Sequence, residues 1–168
     1  METKQRASMQ HRIRSAGILL KNDCILLIKV RDFSGEYWIP PGGGLEREDV
    51  STKGCLVREF KEETDLDVEV GDLICVREFL ETHKQRYNVE LFYLITAFEG
   101  TPSTDCLAGL NDENYIQSVE WIPVSTLHSL RTYPSQLEKT VLKRIEDGRF
   151  STHLGGYVQG ENEDVNIL

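Results

Sequence analysis

The sequence has few of the features that mark membrane or secreted proteins. Its uninterrupted apolar runs are short, of the length of Cys24 to Ile28, whereas a membrane-spanning helix needs about 20 apolar residues. No basic segment followed by an apolar stretch stands after Met1, so secretion is not indicated. A cytoplasmic protein without membrane partners is therefore expected. Its 168 residues are enough for about one domain with a self-sufficient core.

Cysteine is sparse and carries no metal or redox motif. No two cysteines stand in the two-residue spacing of zinc or dithiol motifs. We therefore expect buried or partly buried free thiols. The four cysteines are Cys24, Cys55, Cys75 and Cys106.

Positive charge is also in deficit. The chain has 19 Lys and Arg residues against 28 Asp and Glu residues, which gives a net charge of −9 at pH 7. This balance repels a phosphate backbone, so duplex nucleic acid is not an expected partner. The hydrophobic fraction of 39% and the charged fraction of 28% are typical of a globular domain, so disorder of the whole chain is not indicated.

The pattern along the chain predicts three parts. Residues 1–12 are polar and aperiodic and predict a flexible leader, and residues 149–168 are rich in glycine and acidic residues and predict a flexible tail. Residues 13–148 contain the periodic apolar positions of one folded domain.

Within that domain the apolar periodicity alternates between strands and helices. Runs rich in β-branched residues predict strands at 13–20, 24–30, 38–39, 68–70, 73–80, 89–98 and 116–122. Helical spacing predicts helices at 51–64, with Ser51 as N-cap, and at 134–145. This mixture predicts an α/β or α+β sandwich.

Three carboxylates in the first predicted helix form the clearest candidate site. Glu59, Glu62 and Glu63 stand at positions i, i+3 and i+4, so they share one helix face. Their mutual repulsion is best relieved by a cation, and carboxylate oxygens suit Mg²⁺ or Mn²⁺. The alternative is a solvated acidic face. The three glycines at 42–44 permit a close approach of the main chain to a ligand, or form a simple turn.

Joined at this spacing, the two segments resemble the box of the Nudix hydrolase family, G-x5-E-x7-R-E-U-x-E-E-x-G-U, in which U is apolar. Gly44 matches the opening glycine, residues 58–64 match the central R-E-U-x-E-E-x, and Leu66 matches the final U. Residues 38–43 are similar to the strand that enters the box, and residues 120–123 to a later strand. The resemblance covers roughly the whole predicted domain.

The resemblance implies a Nudix-type α/β/α sandwich with a mixed β-sheet. It also implies a pyrophosphohydrolase that requires a divalent metal and cleaves a small nucleoside diphosphate-linked metabolite or a nucleoside triphosphate. By position in the box, the metal ligands would be Glu59, Glu62 and Glu63, together with the backbone carbonyl of Gly43. Arg58 would brace the carboxylates.

Two positions depart from the family pattern. Counting back from Arg58 places the first box glutamate at Val50, whereas counting forward from Gly43 places it at Asp49, with one extra residue before Arg58. Either Asp49 or Glu48 supplies this carboxylate through a longer loop, or the role is absent. Asp65 stands where the box has glycine and must adopt a left-handed conformation.

The resemblance also implies a further carboxylate from the long loop before the strand at 116–122, as metal ligand or general base. Glu113 is the preferred candidate for the general base, with Asp112 and Glu90 as alternatives; an exposed loop acid without a role is equally compatible with the pattern.

Substrate contacts are predicted in the segment after the second strand. Arg31 is a candidate for a phosphate contact, and Phe33, Tyr37 or Trp38 for stacking on a base, with core packing as the alternative fate of the aromatic residues.

Because Val50 and Asp65 depart from the box, an alternative hypothesis is a nucleotide-binding sensor of the same fold with little turnover. An isomerase acting on an allylic diphosphate ranks last, since no cysteine adjoins the box glycines. A homodimer is left open.

Overall fold

The computed structural model describes residues 9–110 and 112–153. The strands in this part of the chain are β1 Gln10–Ile18, β2 Leu20–Lys21, β3 Cys24–Asp32, β4 Gly35–Ile39, β5 Gly42–Gly44, β6 Asp67–Glu81, β7 Arg86–Glu99 and β8 Ile116–Pro123. The helices are α1 Thr52–Thr64 and α2 Lys143–Glu146, which continues from a π-helical segment at Leu137–Leu142. Short 3-10 turns lie at Arg47–Asp49, Thr82–Lys84, Asp105–Leu107 and Val124–Ser129.

The strands form two sheets. The first has the order β5-β1-β7-β6; β1 and β7 run parallel, and the other pairs are antiparallel. The second is antiparallel and centres on β3, which pairs with β2, β4 and β8. The predicted α+β architecture with a mixed sheet is thus confirmed.

Helix α1 follows the predicted bounds for local reasons. The Ser51 side chain accepts a hydrogen bond from the Gly54 amide at 3.0 Å and caps the first turn. The helix ends where Asp65 adopts a left-handed conformation, φ +57°, and its amide bonds to the Lys61 carbonyl at 3.1 Å. Asp65 therefore takes the conformation that the family box reserves for glycine. On the inner face, Phe60 packs so closely on β1 that a side chain at Gly17 would overlap its ring.

Two element boundaries differ from the sequence prediction. Strand β1 starts at Gln10, so residues 10–12, which the sequence assigns to the leader, belong to the fold. Their backbone pairs with β7 from Arg86 onward, an interaction between distant segments that a polar sequence does not reveal. The run at 13–20 was predicted as one strand, but it is divided between the two sheets. Strand β1 ends at Ile18 in the first sheet, and Leu20 belongs to β2, which pairs with β3 in the second. Residues 1–8 and 154–168 lie outside the described residues.

Several elements after α1 also differ from the sequence prediction. The strands predicted at 68–70 and 73–80 form one irregular strand, β6, and the helix predicted at 134–145 has a π-helical segment at its centre. Ser151, in the predicted tail, pairs with Leu73 at the edge of β6. Cys106 is exposed, in contrast to the expected burial.

Apolar side chains fill both faces of the first sheet. On one face Leu56 and Phe60 of α1 pack against Tyr93 and Ile95. On the other face Leu137 and the rest of the C-terminal helical segment cover a second cluster. No helix in the described part of the chain has the length and apolarity needed to cross a membrane. The two layers leave β5, at the edge of the first sheet, beside the acidic face of α1.

Candidate active site

The glycines of β5 let helix α1 approach the sheet edge. A methyl group at Gly43 would overlap the carboxylate of Glu59, so only glycine leaves room for that side chain. One residue earlier, the Gly42 amide donates a hydrogen bond of 2.7 Å to Oε2 of Glu63. The glycines thus allow a close approach of two helix carboxylates to the main chain, whereas the predicted approach to a ligand stays a prediction.

Two of the three helix carboxylates are buried. Glu59 is 6% exposed and Glu63 is 4% exposed, whereas the Glu62 side chain is 36% exposed. Burial raises the pKa of Glu59, an effect that Arg58 partly offsets and Glu62 reinforces. Burial raises the pKa of Glu63 well above its usual range, and the neighbouring Glu59 carboxylate raises it further. The ionised forms of Glu59 and Glu63 are therefore disfavoured in the metal-free protein, and a bound cation would favour them.

Arg58 contacts two of the three helix carboxylates from one side. Its Nη1 lies 3.0 Å from Oε1 of Glu59 and 3.1 Å from Oε2 of Glu62. Its Nη2 donates to the Gly44 carbonyl at 3.2 Å, which ties the helix to β5. On its other side, Arg58 forms a two-point pair with Asp49, with Nε to Oδ1 at 2.7 Å and Nη2 to Oδ2 at 3.0 Å.

This pairing decides between the two alignments of the box. Asp49, not Glu48, supplies the carboxylate that faces Arg58, and the Asp49 side chain is only 3% exposed. The hydrogen bond from Arg58 lowers the pKa of Asp49. Val50 is the extra residue: it is 52% exposed and its backbone has φ +59°. The insertion therefore bulges outward and leaves the Asp49 contact intact.

A cavity of about 200 Å³ opens over the carboxylates. Its lining comprises Glu46, Arg58, Glu59, Glu62, Glu63, Leu107, Leu110 and Asp112. Asp112 therefore lies at the cavity, and its negative charge raises the pKa of both Glu59 and Glu63.

Glu113, the preferred general base in the sequence interpretation, does not line this cavity. It is exposed, and its Oε2 accepts a hydrogen bond from the Gly109 amide at 2.9 Å, which closes a turn of its own loop. Sequence spacing alone does not show which of two adjacent loop acids faces the helix. Glu90 is also committed elsewhere, since Arg77 Nε donates to its Oε2 at 2.7 Å.

The donor set fits a hard divalent cation by its chemistry. Within residues 9–110 and 112–153, no three His, Cys, Asp or Glu side chains are grouped closely enough to hold a metal ion as they stand. However, the cavity is lined by carboxylate oxygens, and the two buried ones lack full compensation. The residues that would hold the ion are Glu59, Glu62 and Glu63, with the Gly43 carbonyl beside them.

The predicted substrate residues lie away from this cavity. Arg31 is bound to Glu36 on the surface and Phe33 is 96% exposed at the tip of the β3–β4 turn. Trp38 is half-buried against the C-terminal helical segment. The Tyr37 hydroxyl donates a hydrogen bond to Asp32 at 3.0 Å and forms another with the hydroxyl of Tyr115 at 2.8 Å. None of these four side chains lines the carboxylate cavity, and Tyr37 and Trp38 are only partly buried, so their contact with a base stays a prediction.

Sequence reasoning missed a positioning residue in β1. Arg14 is 7% exposed and donates to the carbonyls of Pro40 at 3.1 Å and Gly42 at 2.9 Å. It therefore fixes the segment that enters β5. The available signal was a single charged residue, Arg14, within the apolar run predicted as a strand at 13–20.

Comparison with models of protein families assigns the chain to a family. The NUDIX domain matches residues 11–145, most of the chain, so the chain belongs to the Nudix family. The family resemblance seen in the box is thereby confirmed, and so is the predicted class of enzyme, a Nudix pyrophosphohydrolase. No curated protein matches the sequence.

Solved structures show the same fold at low identity. The solution structure of the E. coli ORF135 protein has a TM-score of 0.63 and 21% identity, covering 84% of this chain and 92% of that one. The MutT NUDIX hydrolase from Burkholderia pseudomallei has a TM-score of 0.64 and 24% identity, covering 79% and 98%. An ADP-ribose pyrophosphatase from Streptococcus suis has a TM-score of 0.51 and 23% identity, covering 84% and 94%. At these identities the likeness concerns the fold.

Proposed function

We propose that this chain hydrolyses a pyrophosphate bond in a small nucleotide, either a nucleoside diphosphate-linked metabolite or a nucleoside triphosphate, and that it requires Mg²⁺ or Mn²⁺. The observation that carries the proposal is the buried pair Glu59 and Glu63 against the glycines of β5, with Glu62 beside them at the cavity. Two buried carboxylates without full compensation are costly unless a cation is bound at least part of the time.

The reaction assigns a task to each residue at the cavity. A divalent cation supplies charge neutralisation of the diphosphate and a more acidic bound water. Glu59, Glu62 and Glu63 would hold it. Arg58 keeps the carboxylates of Glu59 and Glu62 in place, and the Gly42 amide holds that of Glu63. Asp112 is the candidate that accepts the proton as water oxygen bonds to phosphorus and the bridging P–O bond breaks, which leaves two phosphate-bearing products.

The intact Arg58 to Asp49 pair favours an enzyme over a sensor. The sensor reading rests on the loss of a box carboxylate at Val50, but Asp49 occupies the position facing Arg58 despite the insertion. Asp65 adopts the left-handed conformation at the helix end that the box needs. Both departures are therefore compensated locally, and the carboxylate face is unaltered by them.

The names of the structural neighbours suggest the test compounds. They include MutT proteins, an ADP-ribose pyrophosphatase and a UDP-X diphosphatase. The purified chain is incubated with nucleoside triphosphates, ADP-ribose and UDP-sugars, and the products are separated by chromatography. We expect one class to be turned over in Mg²⁺ or Mn²⁺ and none in EDTA. Binding of a nucleotide without any turnover in either metal would support the sensor instead.

A further inference from the structure

Four arginines form a cluster on the β-sheet face that turns away from helix α1. Arg12 and Arg14 alternate along β1, and their side chains therefore project on the same side. In the register of the sheet, Arg14 stands opposite Glu90 of β7, which in turn stands opposite Arg77 of β6. Arg86 of β7 faces Gln10, diagonally next to Arg12. Two carboxylates, Glu90 and Glu81, lie among these arginines.

Three of these arginines have partners that account for them. Arg14 binds two carbonyl oxygens at the entry to β5, and its Nη1 lies 3.6 Å from Oε1 of Glu90. Arg77 Nε donates to Glu90 at 2.7 Å. Arg86 donates twice to one oxygen of Glu81, at 2.7 and 3.0 Å. Their charges are tied into the sheet by hydrogen bonds.

Arg12 differs from the other three. Among the described residues, no hydrogen bond and no ion pair within 4 Å engages its guanidinium, although the side chain is half-buried. Burial lowers the pKa of Arg12, and the positive charges of Arg14 and Arg86 lower it further. The charges of Glu59 and Glu90 act in the opposite direction and offset part of this effect. In the described residues the Arg12 guanidinium thus has neighbouring charges of both signs but no hydrogen-bond partner, and an anion would supply one.

The position of Arg12 connects it to the carboxylate cavity. A methyl group at Gly44 would lie only 3.1 Å from Arg12 Nε, so this glycine gives the guanidinium its place over the end of β5. The Gly44 carbonyl accepts a hydrogen bond from Arg58. The Glu59 carboxylate lies against the adjacent Gly43, on the opposite face of β5 from Arg12. Arg12 thus lies across the edge strand from the candidate metal ligands, near enough for the charge of Glu59 to act on it.

We propose that Arg12 binds a phosphate group of the substrate at the edge of β5, on the side opposite Glu59. This inference rests on the proposed function and names a specificity residue for it. A chain of two or three phosphates that passes the edge strand meets the cation-binding carboxylates on one side and the free guanidinium on the other. Arginine suits this task because its planar donors match two phosphate oxygens.

The test measures anion binding without catalysis. Metal-free protein in EDTA is titrated with inorganic tripolyphosphate by calorimetry, for wild type, Arg12→Gln, Arg12→Lys and Arg149→Gln. Arg149 is exposed, and its side chain has no hydrogen bond or ion pair within the described residues, so this variant removes the same charge elsewhere. We expect Arg12→Gln to weaken binding by about tenfold or more, the loss of a charge-assisted contact. Arg12→Lys should retain part of the affinity, and Arg149→Gln should stay within about twofold.

Thermal unfolding separates this role from a structural one. Because Arg12 makes no hydrogen bond or ion pair within the described residues, and its attraction to Glu59 and Glu90 is opposed by burial, Arg14 and Arg86, Arg12→Gln should unfold no lower than wild type while losing the anion. Two results would overturn the inference: wild type that binds no tripolyphosphate, or Arg12→Gln that binds it as wild type does. A Glu62→Gln variant keeps the two proposals apart, since it should lose turnover and retain metal-free binding of tripolyphosphate.

Discussion

The guanidinium of Arg58 holds the carboxylate of Asp49 at two points, 2.7 and 3.0 Å, across an insertion that the box does not contain. The extra residue, Val50, points its side chain into solvent. This pair anchors the loop before α1 to the same arginine that contacts Glu59 and Glu62. The loop with the insertion and the carboxylates of α1 are therefore connected through the side chain of Arg58.

Replacing Asp49 by Asn should disturb both activity and stability. The neutral amide cannot form the charged two-point pair, so Arg58 is free to reorient toward Glu59 and Glu62. We expect kcat to fall by about tenfold or more and the free energy of unfolding to fall by about 1–2 kcal/mol, less than for a fully buried pair because Arg58 is partly exposed. Steady-state kinetics and urea unfolding measure the two effects. Glu48→Gln, one residue away and exposed, is the control and should change neither.

The same pair sets an acid dependence of stability. The pKa of Asp49 is lowered in the folded protein, so its contribution is present above the usual carboxyl pKa of about 3.8 and is lost as the pH falls toward the lowered folded value. The difference in unfolding free energy between wild type and Asp49→Asn should therefore shrink as the pH is lowered below about 4. A difference that stays constant over this interval would contradict the pairing.

Val50 offers a stabilising substitution. A β-branched residue at φ +59° is strained, and glycine adopts that conformation freely. Val50→Gly should raise the unfolding free energy by up to about 1 kcal/mol and leave kcat unchanged. Val50→Glu should also leave kcat unchanged, because the side chain faces solvent rather than Arg58. A rise in kcat for Val50→Glu would mean that the box carboxylate is missing in the wild type.

Burial of Glu63 predicts an inverse relation between stability and metal binding. In EDTA at neutral pH, Glu63→Gln should unfold at a higher temperature than wild type, because an uncompensated buried charge is removed at nearly constant volume. Added Mg²⁺ should stabilise wild type and have little effect on the variant. Differential scanning calorimetry compares both with Glu99→Gln, an exposed control. A lower melting temperature of Glu63→Gln in EDTA would show that the ionised group stabilises the metal-free fold.

The loop acids give a paired comparison at adjacent positions. Asp112 lines the cavity, whereas Glu113 caps a turn through the Gly109 amide. Asp112→Asn should lower kcat by about 10²-fold if it is the general base, with metal affinity largely kept. Glu113→Gln should leave kcat within about threefold of wild type. The reverse ranking of the two variants would return the role to Glu113.

The sequence predicted well what depends on local spacing. The bounds of α1, its Ser51 cap and the shared face of Glu59, Glu62 and Glu63 follow from helical periodicity, and the structure has the helix and its cap as predicted. The close approach at Gly43 follows from the lack of a side chain. These features need only a few neighbouring residues to be specified.

Features that depend on distant segments were not predictable in the same way. The start of β1 at Gln10 requires β7 as its partner, and the choice between Asp112 and Glu113 depends on how the long loop lies over α1. Arg31, Phe33 and Trp38 were chosen by residue type alone; none of them lines the carboxylate cavity, and their contact with substrate stays a prediction. The choice between Asp49 and Glu48 required the position of Arg58 in space.

The rate of nucleotide hydrolysis as a function of Mg²⁺ concentration, in wild type and Glu59→Gln, tests the central claim most directly. Glu59 is buried against Gly43, so the amide variant keeps the shape of the site and removes one charged oxygen donor. We predict that wild type is inactive without a divalent cation and saturates with Mg²⁺, whereas Glu59→Gln loses at least about 10²-fold in rate and needs more Mg²⁺. Equal rates in the two proteins at limiting Mg²⁺, or full activity of wild type in EDTA, would contradict the account.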